Sequence, residues 1–126
     1  MTSDMLTVAL GRLRERGVEL NVSQLTAYLY VCENEGLNLS ELASVMSVTN
    51  QVASYTVRGL LAAGQPRAID PAAGLIRADV SDNDGRALAL NLTPRGAQLR
   101  DELDEVIRAG LIFAAVPARA PAAARP

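Results

Sequence analysis

A mainly α fold carrying one small β-hairpin is predicted by three observations. Residues 39–64 divide into two short helical patterns across a tight turn, and residues 75–92 alternate apolar and polar on either side of a turn-rich connection. Helical spacing of apolar residues also occurs before and after these two stretches. Two helices about a tight turn, followed by a hairpin, is the order of a winged helix-turn-helix. That arrangement lets a small domain push one helix into a DNA groove.

Each element follows from its own residues. Over 4–16, Leu6, Ala9, Leu10 and Leu13 recur at helical spacing, with Arg12, Arg14, Glu15 and Arg16 on the remaining surface. This is an amphipathic first helix, closed by Gly17. Ser23 is the expected cap of a second helix with an apolar stripe of Leu25, Tyr28, Leu29 and Cys32, ending at Gly36. A brief extended piece over 37–39 leads to the third helix, which Ser40 is expected to cap and in which Leu42, Ala43 and Met46 face inward. Ser47 and Val48 form the turn, and Thr49 caps the fourth helix, where Ala53, Val57 and Leu60 repeat at four and three. Ala43 and Ala53 are small where the two helices must cross closely, and Val48 fills the angle between them.

Past Gly64 the residues Pro66, Asp70, Pro71 and Gly74 break any helix and predict a long loop. Strands are expected over 75–80 and 86–92, with Ile76, Ala78 and Val80 on one face of the first and Leu88, Leu90 and Leu92 on one face of the second. Thr93 then caps a last helix with Pro94 at its first position, where the missing N–H costs nothing. Leu99, Leu103, Val106 and Phe113 keep its spacing, but beyond Val106 the apolar surface widens to include Ile107, Leu111 and Ile112. A helix that becomes apolar on more than one side needs burial on more than one side, and a second subunit is the simplest cover. The expectation is a homodimer joined through helices 4–16 and 94–115, using Leu6, Leu10, Leu103, Val106, Ile107, Leu111 and Phe113. One winged-helix domain over 1–116 and a disordered Ala/Pro/Arg tail over 117–126 complete the predicted organisation.

Composition narrows the function classes. The 126 residues are 49% apolar and 21% charged, which favours a folded chain with a real core, and one Phe with no Trp makes that core aliphatic. A formal charge of −2 argues against a broad basic face that coats nucleic acid, though not against a small local contact. One Cys allows no internal disulfide, no signal-like start is present, and no apolar segment nears the roughly 20 residues of a membrane helix. A cytoplasmic protein with no membrane partner is expected. No His, glycine-rich phosphate loop or metal-spaced ligand cluster supports catalysis, a cofactor or a metal. Asp101, Glu102, Asp104 and Glu105, beside Arg100 and Arg108, read as a solvated helix face. Asp79, Asp82 and Asp84 read as turn residues, because the later bidentate acid of a calcium loop is missing. Cys32 lies on an apolar stripe with no neighbouring cation to lower its pKa, so a buried structural thiol is expected, not a redox sensor.

Leu42-Ala43, the Val48-Thr49 turn, Gly74-Leu75-Ile76-Arg77, Asp84-Gly85-Arg86 and Leu92-Thr93-Pro94-Arg95-Gly96 stand in an order and spacing that resembles MarR-type transcriptional regulators. The similarity spans roughly residues 25–103, and the chain looks like a short, divergent member. The resemblance implies a dimer on double-stranded DNA at an operator, a recognition helix in each major groove, a wing arginine in the adjoining minor groove, and an unidentified small-molecule effector. By position, the recognition helix is 49–62, with Thr49, Asn50, Gln51, Ser54, Tyr55 and Arg58 facing outward. Arg86 matches the wing arginine, and Asp84 the acid that positions it.

The residue chemistry keeps a second reading beside each of these. Asn50 and Gln51 suit adenine edges and Arg58 phosphate or guanine, but the same residues could form a solvated polar face. Arg86 either enters a narrow minor groove or pairs with Asp84 or Asp79 and stiffens the hairpin. For the whole chain, the alternative to a DNA-binding regulator is a winged helix that binds a partner protein through its acidic wing, the 65–74 loop and the apolar last helix.

Overall fold

The computed structural model describes residues 3–69, 72–80 and 88–115, with side chains described for 6–69, 72–79 and 88–109. The elements run α1 (Ser3–Glu15), α2 (Val22–Glu33), α3 (Leu39–Met46), α4 (Asn50–Arg58), β1 (Ile76–Val80), β2 (Leu88–Leu92) and α5 (Pro94–Ala115). This is the mainly α architecture with a small antiparallel hairpin that the residue pattern predicts. The chain forms two compact units: a central one over Val18–Leu99, and a terminal one drawn from residues up to Gly17 and from Arg100 onward.

In the central unit, local chemistry starts each helix, though not always at the residue expected. Asn21, not Ser23, caps α2: its side chain accepts from the Gln24 N–H at 2.7 Å while the Gln24 side chain accepts from the Asn21 N–H at 3.0 Å. Asn38, not Ser40, caps α3 through the same reciprocal box with Glu41, both bonds at 2.8 Å. Asn is at least as strong a cap as Ser, and each Asn has a Gln or Glu three residues on, which the two serines lack. Thr49 caps α4 as predicted, accepting from Val52 N–H at 3.1 Å.

The stripe expected on α2 is rotated. Ala27, Tyr28 and Val31 are its buried face, while Leu29 is 41% exposed and Cys32 only half-buried at the margin. Ala27 and Val31, outside the expected stripe, flank Tyr28 at the centre of that face. The crossing of α3 and α4 is as expected: Ala43 and Ala53 are both buried, and the Val48 N–H donates to the Ala43 carbonyl at 3.0 Å. Ser47 makes the turn in the left-handed region, at φ 59 and ψ 43.

The hairpin register pairs Ile76 with Leu92, Ala78 with Leu90 and Val80 with Leu88, so the two apolar faces predicted from alternation coincide. Ile76, Leu90 and Leu92 are buried. Each edge of this two-stranded sheet is covered within the central unit, which removes an open ladder. Beside β2, Leu90 exchanges backbone bonds with Gly36 and Leu37, and Asn38 bridges Ala89. The extended piece over 37–39 is thus a one-bridge third strand. Beside β1, Leu61 bridges Ile76, and further along the Gln65 side chain takes the place of a strand, accepting from Ala78 N–H at 2.8 Å and donating to its carbonyl at 3.4 Å.

The start of α5 locks onto this sheet. Thr93 donates its hydroxyl proton to the Gly74 carbonyl at 2.6 Å and accepts from Gly96 N–H at 3.0 Å. Tyr28, fully buried, donates to the Gly96 carbonyl at 2.6 Å. A Cβ at Gly96 would stand 2.1 Å from the Leu75 carbonyl oxygen, so only glycine fits. The Thr-x-x-Gly spacing therefore has a packing cause.

In the terminal unit Leu13 and Leu103 are buried, whereas Leu6, Val8 and Leu10 of α1 are each more than 40% exposed. Arg16 and Glu102 form a two-pronged ion pair, with Arg16 Nε 3.1 Å from Glu102 Oε1 and Nη2 on Oε2. Glu102 thus departs from the purely solvated face expected of it. Among the described residues no helix is long and apolar enough to cross a membrane.

Candidate nucleic-acid interface

Thr49, Asn50 and Gln51, the cap and first turn of α4, are all exposed, and Asn50 Nδ2 donates to Ser40 Oγ at 3.1 Å, tying the start of α4 to the first turn of α3. Ala53, Thr56 and Val57 are buried, with the Thr56 hydroxyl bonded back to the Val52 carbonyl at 2.9 Å. At 100° per residue the opposite side is led by Gln51, Tyr55 and Arg58, flanked by Ser54 and Val52. Tyr55 is 68% and Val52 46% exposed. Gln51, Ser54, Tyr55 and Arg58 therefore stand along one side and Thr49 at the cap, while Asn50 lies in line with buried Val57 and turns its amide to Ser40. The exposure of Val52 has no signal in the sequence, since an apolar residue beside a buried stripe is not marked by its spacing as turned outward.

The helix is shorter than the 49–62 span expected. Its last residue is Arg58, because the following segment leaves to pair with the sheet: the Leu60 carbonyl accepts from both Leu75 and Ile76 N–H. The described residues of the 65–74 insertion fold back over this end. Ile69 N–H donates to the Arg58 carbonyl at 3.0 Å, Ala73 N–H to that of Gly59 at 2.9 Å, and Arg58 Nε to the carbonyl of Arg67 at 2.8 Å. Arg58 is half-buried and its guanidinium is held toward the loop.

On the hairpin, Arg77 Nε lies 2.8 Å from Asp79 Oδ2, and Asn91 Nδ2, opposite Arg77 in register, reaches the same oxygen at 3.5 Å. One of the three wing carboxylates thus has a cation of its own. Arg86, Asp84 and Asp82 lie outside the described residues, as does the 117–126 tail.

Of the residues assigned to a dimer contact, Leu6 and Leu10 are exposed. Val106 and Ile107 are half-buried, and Leu103, at 6% exposure, has little surface left to offer. The side chains of Leu111 and Phe113 lie outside those described.

No family model matches the chain and no curated protein matches its sequence. Solved structures do match. FabT of Streptococcus pneumoniae, in complex with DNA, superposes with a TM-score of 0.67 at 15% identity, over 94% of this chain and 78% of its own. The S. aureus MepR–DNA complex gives 0.63 at 19% identity, over 84% and 77%. A MarR transcriptional regulator from Methanosarcina mazei gives 0.60 at 14% identity, over 86% and 71%. Element order, hairpin register and these superpositions together assign the chain the winged-helix fold of MarR-type transcriptional regulators.

Proposed function

We propose that this chain is a homodimeric, sequence-specific DNA-binding regulator of transcription that occupies an operator with α4 of each subunit in a major groove. The observation that carries the reading is the set of hydrogen-bonding residues Thr49, Asn50, Gln51 and Tyr55, all exposed, with half-buried Ser54 beside them, on a helix braced from behind by α3. The DNA complexes among the similar structures support it. Arg58, with its Nε on the Arg67 carbonyl, is assigned a phosphate contact through its remaining guanidinium nitrogens, and Arg86 and Asp84 are assigned the wing roles that the family resemblance implies. Leu6 and Leu10, one turn apart on α1 and both exposed, support pairing of two copies. The chain works in the cytoplasm, without a cofactor and without catalysis.

Fluorescence-anisotropy titration at low salt, against duplexes from the protein's own upstream region, tests the reading. Saturable binding at submicromolar dimer, weakened at least tenfold by Gln51→Ala or Arg86→Ala, is the expected result. Absence of specific binding at micromolar dimer would reject it. The second reading, a protein-interaction module, is favoured by one feature: the central unit holds five Arg against eight Asp and Glu. Light scattering separates the two further, since a stable dimer is needed to place recognition helices on half-sites about 34 Å apart.

A further inference from the structure

The side of α4 that would meet DNA carries two apolar groups that folding does not use. Val52 and Tyr55 are three residues apart, hence neighbours on the helix surface, and Gln51 adjoins both in sequence or at four residues' distance. Neither Val52 nor Tyr55 enters the core, with 46% and 68% of their surfaces open. Valine is also a poorer helix former than Ala, Leu or Gln, so an exposed Val in a nine-residue helix gains nothing from propensity. It does bring stiffness. A β-branched side chain in a helix has one strongly preferred χ1 rotamer. Here the Val52 backbone is held at both ends, its N–H on the Thr49 hydroxyl at 3.1 Å and its carbonyl under the Thr56 hydroxyl at 2.9 Å. The two methyls are presented in a fixed direction.

The polar chemistry on the same surface points the same way. Arg58, the one cation of α4, sits in the last turn, and its Nε is taken by the Arg67 carbonyl. Bases are met mainly by the N-terminal residues of a recognition helix, and the commonest guanine contact is a two-pronged Arg or Lys. The N-terminal part of α4 has neither. It has Gln51, which can take adenine N6 and N7 together, and beside it the apolar pair.

We propose that α4 reads A·T pairs, Gln51 holding adenine while Val52 and the ring of Tyr55 pack on the 5-methyl groups of thymine. Thymine is the one DNA base that places a methyl in the major groove, so an apolar probe there discriminates without charge. This rests on the DNA-binding reading above and adds the base class to it.

The test uses the full-length protein. Duplexes are selected from a random library at fixed salt, and the thymines of the selected half-site are then replaced by deoxyuridine one at a time, which removes the methyl and keeps the base pair. An A·T-centred half-site is expected. One or two of the replacements should weaken wild-type binding by about three- to tenfold, the range for losing a buried methyl contact. Val52→Ala should bind thymine and deoxyuridine duplexes alike at those positions, while its helix content by circular dichroism stays that of the wild type. If the wild type retains a selected duplex but tolerates deoxyuridine at every position, or selects a G·C core, the thymine reading is overturned and DNA binding stands. If Val52→Ala keeps the full discrimination, the assignment to Val52 is overturned. If no duplex is retained at all, both readings fall.

Discussion

Two glycines show how differently one methyl group can act in this chain. A Cβ at Gly96 would meet the Leu75 carbonyl oxygen at 2.1 Å, a backbone atom that Thr93 N–H also holds, whereas a Cβ at Gly59 would meet only the tip of the Gln24 side chain at 2.5 Å. Backbone cannot step aside, whereas the Gln24 amide can, at the cost of loosening its bond to the Asn21 N–H. Gly96→Ala is therefore expected to cost roughly 1–3 kcal/mol in a denaturant titration, and Gly59→Ala to stay within about 1 kcal/mol of wild type. Ser47 is the converse case, a residue with a Cβ at φ 59 where glycine normally stands. Ser47→Gly relieves that conformation and is expected to stabilise by up to about 1 kcal/mol, read as a higher thermal midpoint. Ser47 was legible as a turn residue from the spacing. The restriction at Gly96 was not, because the atom that forbids a side chain lies 21 positions earlier in the chain.

At the scale of elements, caps and edges decide where structure starts and stops. Asn38→Ala removes one half of the reciprocal box that opens α3 and should cost about 1 kcal/mol. The same substitution at Ser40, which lies inside the helix, should cost less, and the difference between the two titrations checks the corrected cap. Gln65 does for β1 what a further strand would do. With Gln65→Ala the Ala78 amide loses its acceptor, and its hydrogen exchange is expected to speed up by about tenfold or more, with the amides of α2 unaffected. Helix number, hairpin and the Thr49 cap could be read from the sequence because they rest on contacts within a few residues. The early end of α4 could not, since the competing partners of the Leu60 carbonyl are Leu75 and Ile76.

For the whole molecule the controlling quantity is charge. A formal charge of −2, with Asp79 answered by Arg77 and Arg58 held toward its loop, leaves few cations for phosphate. If each subunit neutralises about two phosphates, the slope of log affinity against log salt should be near −4 for the dimer, far from the value of about −10 reached by strongly basic binders. A titration series from 50 to 200 mM salt measures it. A slope steeper than about −8 would show that arginines outside α4 and β1 carry the contact. A shallow slope is what a helix reading bases through Gln51, Val52 and Tyr55 requires, because its discrimination does not come from counter-ion release.

What this sequence determined by itself is the order and type of the elements, the face each strand shows, and the small residues at the α3–α4 crossing, all of which follow from periodicity and capping chemistry acting over one or two turns. The tertiary structure alone decided which side of α2 is buried, where α4 stops, why residue 96 is glycine, and that Arg58 faces the 65–74 loop. Each of those depends on an atom from a distant part of the chain arriving within hydrogen-bond or van der Waals range, and no local pattern encodes that arrival.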